Sequence, residues 1–209
     1  MELVYETKLG KLYYGDSEFV DDIIIDESLD LVFTDPPYPK KYFHCFEYLA
    51  EIYPKKLMSG GSLFTLLGHY QLEDVMMLFK DRLKFRWLLT LIQEEGSHAR
   101  MAMGIEVCFK PMLWYVKDKF PRERNYGFLK DTLHSVQDKT LHEWQQDKEW
   151  STYYIKKVTK ENQLVCDPFC GAGTVPYSCE YLNRRWIAID NDIKAIEATI
   201  NRLKKFDER

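Results

Sequence analysis

Two short segments of this chain hold residue types whose spacing could do chemistry. The first is Asp35-Pro36-Pro37-Tyr38, which follows the apolar run Leu31-Val32-Phe33 and Thr34. Two consecutive prolines remove two backbone donors and fix φ, so the segment is a stiff projection. Carbonyls there lack a ladder partner and can accept hydrogen bonds from a ligand. An exocyclic amine on an aromatic base is a poor nucleophile, because its lone pair is delocalised into the ring. A carboxylate and a carbonyl that accept its two hydrogens favour the pyramidal form, in which that pair is freed. Asp35 and the Pro36 carbonyl are such acceptors, and Tyr38 offers a face on which a base can stack. By itself the tetrapeptide is equally an ordinary turn.

The second segment is Asp167-Pro168-Phe169-Cys170-Gly171-Ala172-Gly173-Thr174. Glycines placed between a strand and a helix let the backbone approach a ligand closely, as nucleotide-binding turns do. Seventeen residues beyond Gly173, the run Trp186-Ile187-Ala188-Ile189 ends at Asp190. A carboxylate at the end of the next strand is where a ribose diol is held. Taken alone, the glycines fit a structural turn or a nicotinamide dinucleotide site. Together with Asp190 they point to a cofactor that contains a nucleoside.

The elements that must position these segments alternate between short apolar runs and amphipathic stretches, which is an α/β pattern. Strands are predicted at 12–14, 31–33, 62–67, 85–93, 106–117, 163–167 and 185–190, with Gly60-Gly61 as a break before the third. Helices are predicted over 43–57, 72–83 and 151–157, from Thr174, and along the stripe Ile193, Ile196, Ile200 and Leu203. Ser151 serves as a helix cap, and Pro176 falls in a first turn where its missing donor costs nothing. Trp87, Trp114 and Trp186 lie in strands and are expected in the core. The segment 118–147 is polar and irregular.

At 209 residues the chain suits one well-cored domain spanning 1–209. A composition that is 45% hydrophobic and 15% aromatic excludes disorder. No apolar run approaches the ~20 residues of a membrane span. MELVYETKLG has no apolar block of the secretory kind. Cys45, Cys108, Cys166, Cys170 and Cys179 form no CxxC pair, so reduced thiols in the cytoplasm are expected. His44, His69, His98, His134 and His142 lack metal-ligand spacing, and no metal is expected. The net charge of −4 gives no support to nucleic-acid binding at the whole-chain level; positive charge would have to be gathered locally.

The two motifs together resemble the S-adenosylmethionine-dependent amino-methyltransferases of DNA. The likeness is to the permuted, beta-group-like members in which DPPY precedes FxGxG, and it runs from Gly15-Asp16 to Asp190. It implies a single-domain Rossmann-like methyltransferase fold, circularly permuted: a mixed seven-stranded sheet with helices on both faces. In that fold the opening and closing strands lie side by side, and both motifs sit at the carboxyl ends of adjacent strands. The resemblance implies catalytic roles for Asp35, Pro36, Pro37 and Tyr38. It implies S-adenosylmethionine as cofactor, held by Asp16, Ser17, Asp35, Asp167, Pro168, Phe169, Cys170, Gly171, Gly173, Thr174, Asp190 and Asn191. Asp16 would receive the cofactor's adenine amino group. Gln145, within His142-Glu143-Trp144-Gln145-Gln146, lies where the family contacts the methionine end, although this segment lacks the common proline.

Asp at the first motif position is, by the same resemblance, the usual form for N6 of adenine in DNA, with direct in-line displacement after base flipping. Cytosine N4 and RNA amines are alternatives, as is a catalytically silent nucleic-acid-binding subunit. Cytosine C5 chemistry needs a nucleophilic cysteine, usually after proline, and the chain has no Pro-Cys dipeptide. Phosphate contacts are expected from Lys40 and Lys41, from Lys117, Lys119, Arg122 and Arg124, and from Arg100. The loops 94–104 and 118–148 are candidate minimal target-recognition elements, because the length leaves no room for a dedicated domain. A homodimer or a specificity partner is the other way to supply recognition.

Overall fold

The protein is described here from a computed structural model that covers residues 1–93, 104–119, 128–135 and 148–206. Nine strands of the described residues form one sheet: β1 (Glu2–Glu6), β2 (Gly10–Tyr14), β3 (Leu29–Thr34), β4 (Leu57–Leu66), β5 (Lys84–Gln93), β6 (Phe109–Val116), β7 (Thr132–Ser135), β8 (Leu164–Asp167) and β9 (Arg185–Asp190). Their order is β1-β2-β9-β8-β3-β4-β6-β5-β7. The seven expected strands form the centre, and β1 and β7 extend the two edges, which corrects the count from seven to nine. β1 pairs antiparallel with β2, and β7 pairs parallel with β5. Neither was legible: Glu2–Glu6 is too exposed to show a buried face, and Thr132–Ser135 is four residues inside a polar stretch.

Strands β2, β9, β8, β3 and β4 are parallel, and β6 runs antiparallel to both of its neighbours. The strands that open and close the expected seven, β2 and β9, pair from Gly10↔Trp186 to Tyr14↔Asp190, as the permutation requires. Next to them β8 and β3 align Val165 with Leu31 and Cys166 with Val32. The connections reverse direction at this β8–β3 boundary, the place where open α/β sheets bind ligands.

Helices α1 (His44–Lys56) and α2 (Leu72–Phe79) cover one face; α3 (Lys148–Val158), α4 (Thr174–Leu182) and α5 (Ile193–Leu203) cover the other. One core layer gathers Phe46, Leu49, Tyr53, Val75 and Phe79 beneath α1 and α2. The other gathers Tyr154, Val175, Cys179, Ile196 and Leu203 with Phe33, Phe64 and Trp114. Sheet residues alternate between the layers, which is the period-2 consequence of a pleated strand buried on both faces.

Three local expectations need correction. Gly60-Gly61 does not end an element: β4 starts at Leu57, and the glycines lie in a bulge between the pairs Leu29↔Leu57 and Leu31↔Ser62, where Gly60 takes φ 85°. Ser151 is inside α3 rather than at its cap, and its buried hydroxyl lies 2.7 Å from that of Ser178 on α4. Trp114 and Trp186 are core residues, but Trp87 is 54% exposed. A register shift between Phe85 and Trp87 carries it to the sheet margin, where its indole N–H donates to Asp131 at 3.3 Å. No helix among the described residues is long and apolar enough to cross a membrane.

Candidate active site

β3 ends at Thr34 and β8 at Asp167, so the parallel pairing of these strands delivers Asp35 and Pro168 to the same edge of the sheet. The adjoining β9 delivers Asp190, and β2 delivers Gly15-Asp16-Ser17. The Gly15 N–H donates to the Asp190 carbonyl at 3.0 Å and ties the last two together. An outer cleft of about 400 Å³ opens between Asp16, Ser17, Asp35, Pro37, Pro168, Phe169, Gly171, Asp190 and Asn191. An inner cavity of about 200 Å³ shares Asp35, Phe169 and Gly171 with it and continues to Asp167, Cys170 and Thr174. The two sequence motifs therefore face one space.

The glycine turn is held by its own backbone. Gly171 and Gly173 adopt φ of 51° and 75°, the left-handed region that side chains disfavour. A Cβ on Gly173 would also lie 2.8 Å from the Thr199 side chain. Thr199, buried on α5, donates its hydroxyl to the Gly171 carbonyl at 2.7 Å. The Asp190 carboxylate accepts from Gly171 N–H at 2.8 Å and Asp192 N–H at 2.9 Å. Burial raises its pKa against these donors. Arg202 donates to the Thr174 hydroxyl at 2.7 Å and fastens α5 to the start of α4.

Asp167 is buried at the floor. Its carboxylate accepts from the Thr34 hydroxyl at 2.8 Å and from the Phe169 N–H at 3.2 Å. Loss of solvation outweighs both bonds and pushes its pKa up to about 8. Burial likewise raises the Cys170 thiol well above its ordinary range, so this cysteine, though it lines the cavity, is kept as a thiol rather than a nucleophilic thiolate.

The tetrapeptide 35–38 is held by side chains instead. Tyr38 donates its hydroxyl to Asp35 Oδ1 at 2.5 Å. Burial and the neighbouring carboxylate raise the Tyr38 pKa well above its ordinary value, so it stays a donor. Tyr70 donates to the Tyr38 carbonyl. Lys110, on β6, places its ammonium 3.9 Å from Asp35 Oδ2. Tyr38 thus restrains the Asp35 carboxylate, a contact that its reading as a stacking face does not include.

The cavities suit a nucleoside-containing cofactor. Their combined size is that of a cofactor site. Asp16 and Asp190 are acceptors that line the outer cleft; Ser17 lines it too, and its buried hydroxyl has no hydrogen-bond partner. An unpaired buried polar atom beside such a cleft is one that a ligand can satisfy.

Of the expected site residues, Asp16, Ser17, Asp35, Pro37, Asp167, Pro168, Phe169, Cys170, Gly171, Thr174, Asp190 and Asn191 line these spaces. Pro36, Tyr38 and Gly173 are not among the lining residues; Gly173 shapes the turn. Lys40 and Lys41 are exposed in a short turn immediately after the tetrapeptide. Lys117 is a correction: it follows the far end of β6, donates to the Leu57 carbonyl at 2.8 Å and to Glu27 at 3.2 Å, and so faces away from the cleft. Lys119 follows it in chain. Arg100, Arg122, Arg124 and Gln145 lie outside the described residues. Sequence reading missed Lys110, Tyr70, Thr199 and Trp150. Trp150 lines the inner cavity and meets Phe33 edge-on at 5.4 Å. Nothing in the spacing of these four marks them, because each reaches the site across the sheet or from another helix.

Residues 128–201 match the model of a protein family described as DNA methylase of N6/N4 type. The type II methyltransferase M.HindIII of Haemophilus influenzae is 36% identical over 221 residues, which cover 81% of this chain and 72% of that protein. M.BamHI of Bacillus amyloliquefaciens is 26% identical over 98% of this chain and 59% of its own. The chain thus spans between 59% and 72% of the length of these two relatives. Among solved structures, the cytosine-N4-specific PvuII DNA methyltransferase superposes with a TM-score of 0.83 at 18% identity, over 99% of this chain and 93% of that one. The complex of M1.HpyAVI with S-adenosylmethionine gives 0.74 at 21%, over 93% and 99%. These structural likenesses establish the fold.

Proposed function

This chain belongs to the N6/N4 family of DNA methylases, and from that membership we propose that it transfers a methyl group from S-adenosylmethionine to N6 of adenine in DNA, by direct in-line displacement on a flipped-out base. The observation that carries this reading is the shared lining of the cleft: Asp35 of the tetrapeptide and Phe169-Gly171 of the glycine turn bound the same space.

When bound, S-adenosylmethionine supplies an electrophilic methyl group on a sulfonium. Asp190 and Asp16 hold the nucleoside end, the first by the ribose diol and the second by the adenine amine. Asp35 and the Pro36 carbonyl accept the two hydrogens of the substrate amine and free its lone pair. The Asp35 carboxylate stabilises the positive charge that develops on that nitrogen. No covalent enzyme intermediate is needed, in accord with a cleft cysteine held as a thiol. Lys40 and Lys41, exposed beside the tetrapeptide, are placed to hold phosphates of the distorted strand.

The adenine assignment rests on Asp at the first motif position. Cytosine N4 is the second reading, and the superposition on a cytosine-N4-specific enzyme keeps it in view. Incubation of the protein with labelled cofactor and, separately, DNA, RNA and protein pools tests the proposal. Label in DNA that digests to N6-methyl-2′-deoxyadenosine is the expected result. N4-methylcytosine would overturn the choice of base, and label confined to RNA or protein would overturn the choice of polymer. Sequencing of the methylated DNA then maps the recognised site.

A further inference from the structure

We propose that Lys110 is a specificity-determining residue: with Asp35 it forms a donor–acceptor pair that reads an exocyclic amine together with the ring nitrogen beside it. This rests on the methyl-transfer reading above and adds the means by which the base is chosen.

Lys110 is the second residue of β6, and β6 runs antiparallel to β4, so its first residues rise at the edge where β3 and β4 end. The ammonium stands 3.9 Å from Asp35 Oδ2 and 5.9 Å from the centre of the Tyr38 ring. Its side chain is 30% exposed and that of Asp35 22%, so the pair sits at the mouth and not in the core. The other carboxylate oxygen, Oδ1, takes the Tyr38 hydroxyl. The mouth therefore presents, side by side, one acceptor and one donor that has three hydrogens and no lone pair.

On the Watson–Crick edge adenine and cytosine share one feature that guanine and thymine lack. In each, a primary amine on that edge lies beside an unprotonated ring acceptor: N1 beside N6, N3 beside N4. The guanine amine has a ring N–H beside it on that edge, its acceptor N3 lying on the sugar side, and thymine has no amine. A base against Tyr38 with its amine on Asp35 turns that ring nitrogen, two bonds away, toward Lys110. An ammonium there donates to adenine or cytosine and meets a hydrogen on guanine. A base that covers this donor without accepting from it strips the ammonium of water for no return, and so is rejected more strongly than one that merely fits less well. Folding accounts poorly for a lysine in this position, because partly exposed ion pairs contribute little to stability.

The test uses duplexes that carry the mapped site with either adenine or 1-deazaadenine as the target; 1-deazaadenine keeps the amine and replaces N1 by C–H. Wild type, Lys110→Met and Lys110→Arg are compared by kcat/KM for methyl transfer, and 3-deazacytosine replaces the analogue if the target is cytosine. The Met variant reports the effect of the ring change on the amine itself. The expected result is a preference for adenine of at least tenfold in wild type, reduced at least fivefold in Lys110→Met and retained in Lys110→Arg. An active wild type with no preference overturns this inference alone, as does a Met variant that keeps the wild-type preference. A wild type inactive on every DNA overturns the methyl-transfer reading and this inference with it.

Discussion

The glycine turn and the tetrapeptide 35–38 bound the same cleft, yet they are fixed by different means. Residues 167–173 are held through their main-chain N–H groups, which donate to backbone carbonyls and to the Asp167 and Asp190 carboxylates, and by left-handed glycines and the buried Thr199 hydroxyl. Residues 35–38 are stiffened by two prolines and by the Tyr70 hydroxyl on the Tyr38 carbonyl, but the Asp35 carboxylate is placed by Lys110 and the Tyr38 hydroxyl. A turn fixed by its backbone is complete before any ligand arrives. Side-chain contacts to a carboxylate can be exchanged for contacts to a substrate amine. The difference suits a cofactor seat that is preorganised and a base seat that reorganises.

The largest expected effect separates the two sides outright. Asp35→Ala should reduce kcat at least ~1000-fold, while calorimetry gives a cofactor Kd within about threefold of wild type, since Asp16, Asp190 and the glycine turn still line the cleft. Retained activity in that variant would end the distinction. Gly173→Ala probes the other side. It forces an alanine into φ 75° and a Cβ to 2.8 Å from Thr199. A cost of a few kcal/mol should lower Tm by roughly 5–10 °C and weaken cofactor binding. An unchanged Tm would mean that the turn is not held as rigidly as its hydrogen bonds imply.

A third effect concerns Asp167 and appears with pH. Its folded pKa is about 8 against an ordinary 3.8, so between these values the unfolded chain has released a proton that the folded one keeps. The stability this group contributes is fully present below about pH 3.8 and is lost as pH rises through about 8. Thermal melts from pH 5 to 8 should show a decline that Asp167→Asn makes shallower; parallel curves would refute the buried-acid assignment. The smallest effect is that of Tyr70→Phe. Removing one hydrogen bond to the Tyr38 carbonyl should lower kcat by about three- to tenfold and leave cofactor Kd unchanged.

Much of this arrangement could be read from the chain, for reasons that particular residues make plain. Arg185–Asp190 was located to the residue, because a continuous apolar run with a polar terminus has one reading as a buried parallel strand. The pairing of β2 with β9 followed from the permuted motif order and the family resemblance rather than from periodicity. The motifs were legible because proline and glycine act on the backbone nearby in sequence. Lys110 and Thr199 were not, since they reach the cleft through register across the sheet and through helix docking. Lys117 shows the converse. Its charge and its neighbours in sequence fit a phosphate contact, but the antiparallel direction of β6 carries it to the opposite end from Lys110.

The contact between α5 and the glycine turn also bears on how the molecule is made. Thr199 lies beyond the turn it braces, and Arg202 clamps the first residue of α4 from the same helix. A chain leaving the ribosome has residues 35–38 long before the helix that braces the glycine turn. The cleft that these two segments bound is therefore completed only when α5 docks.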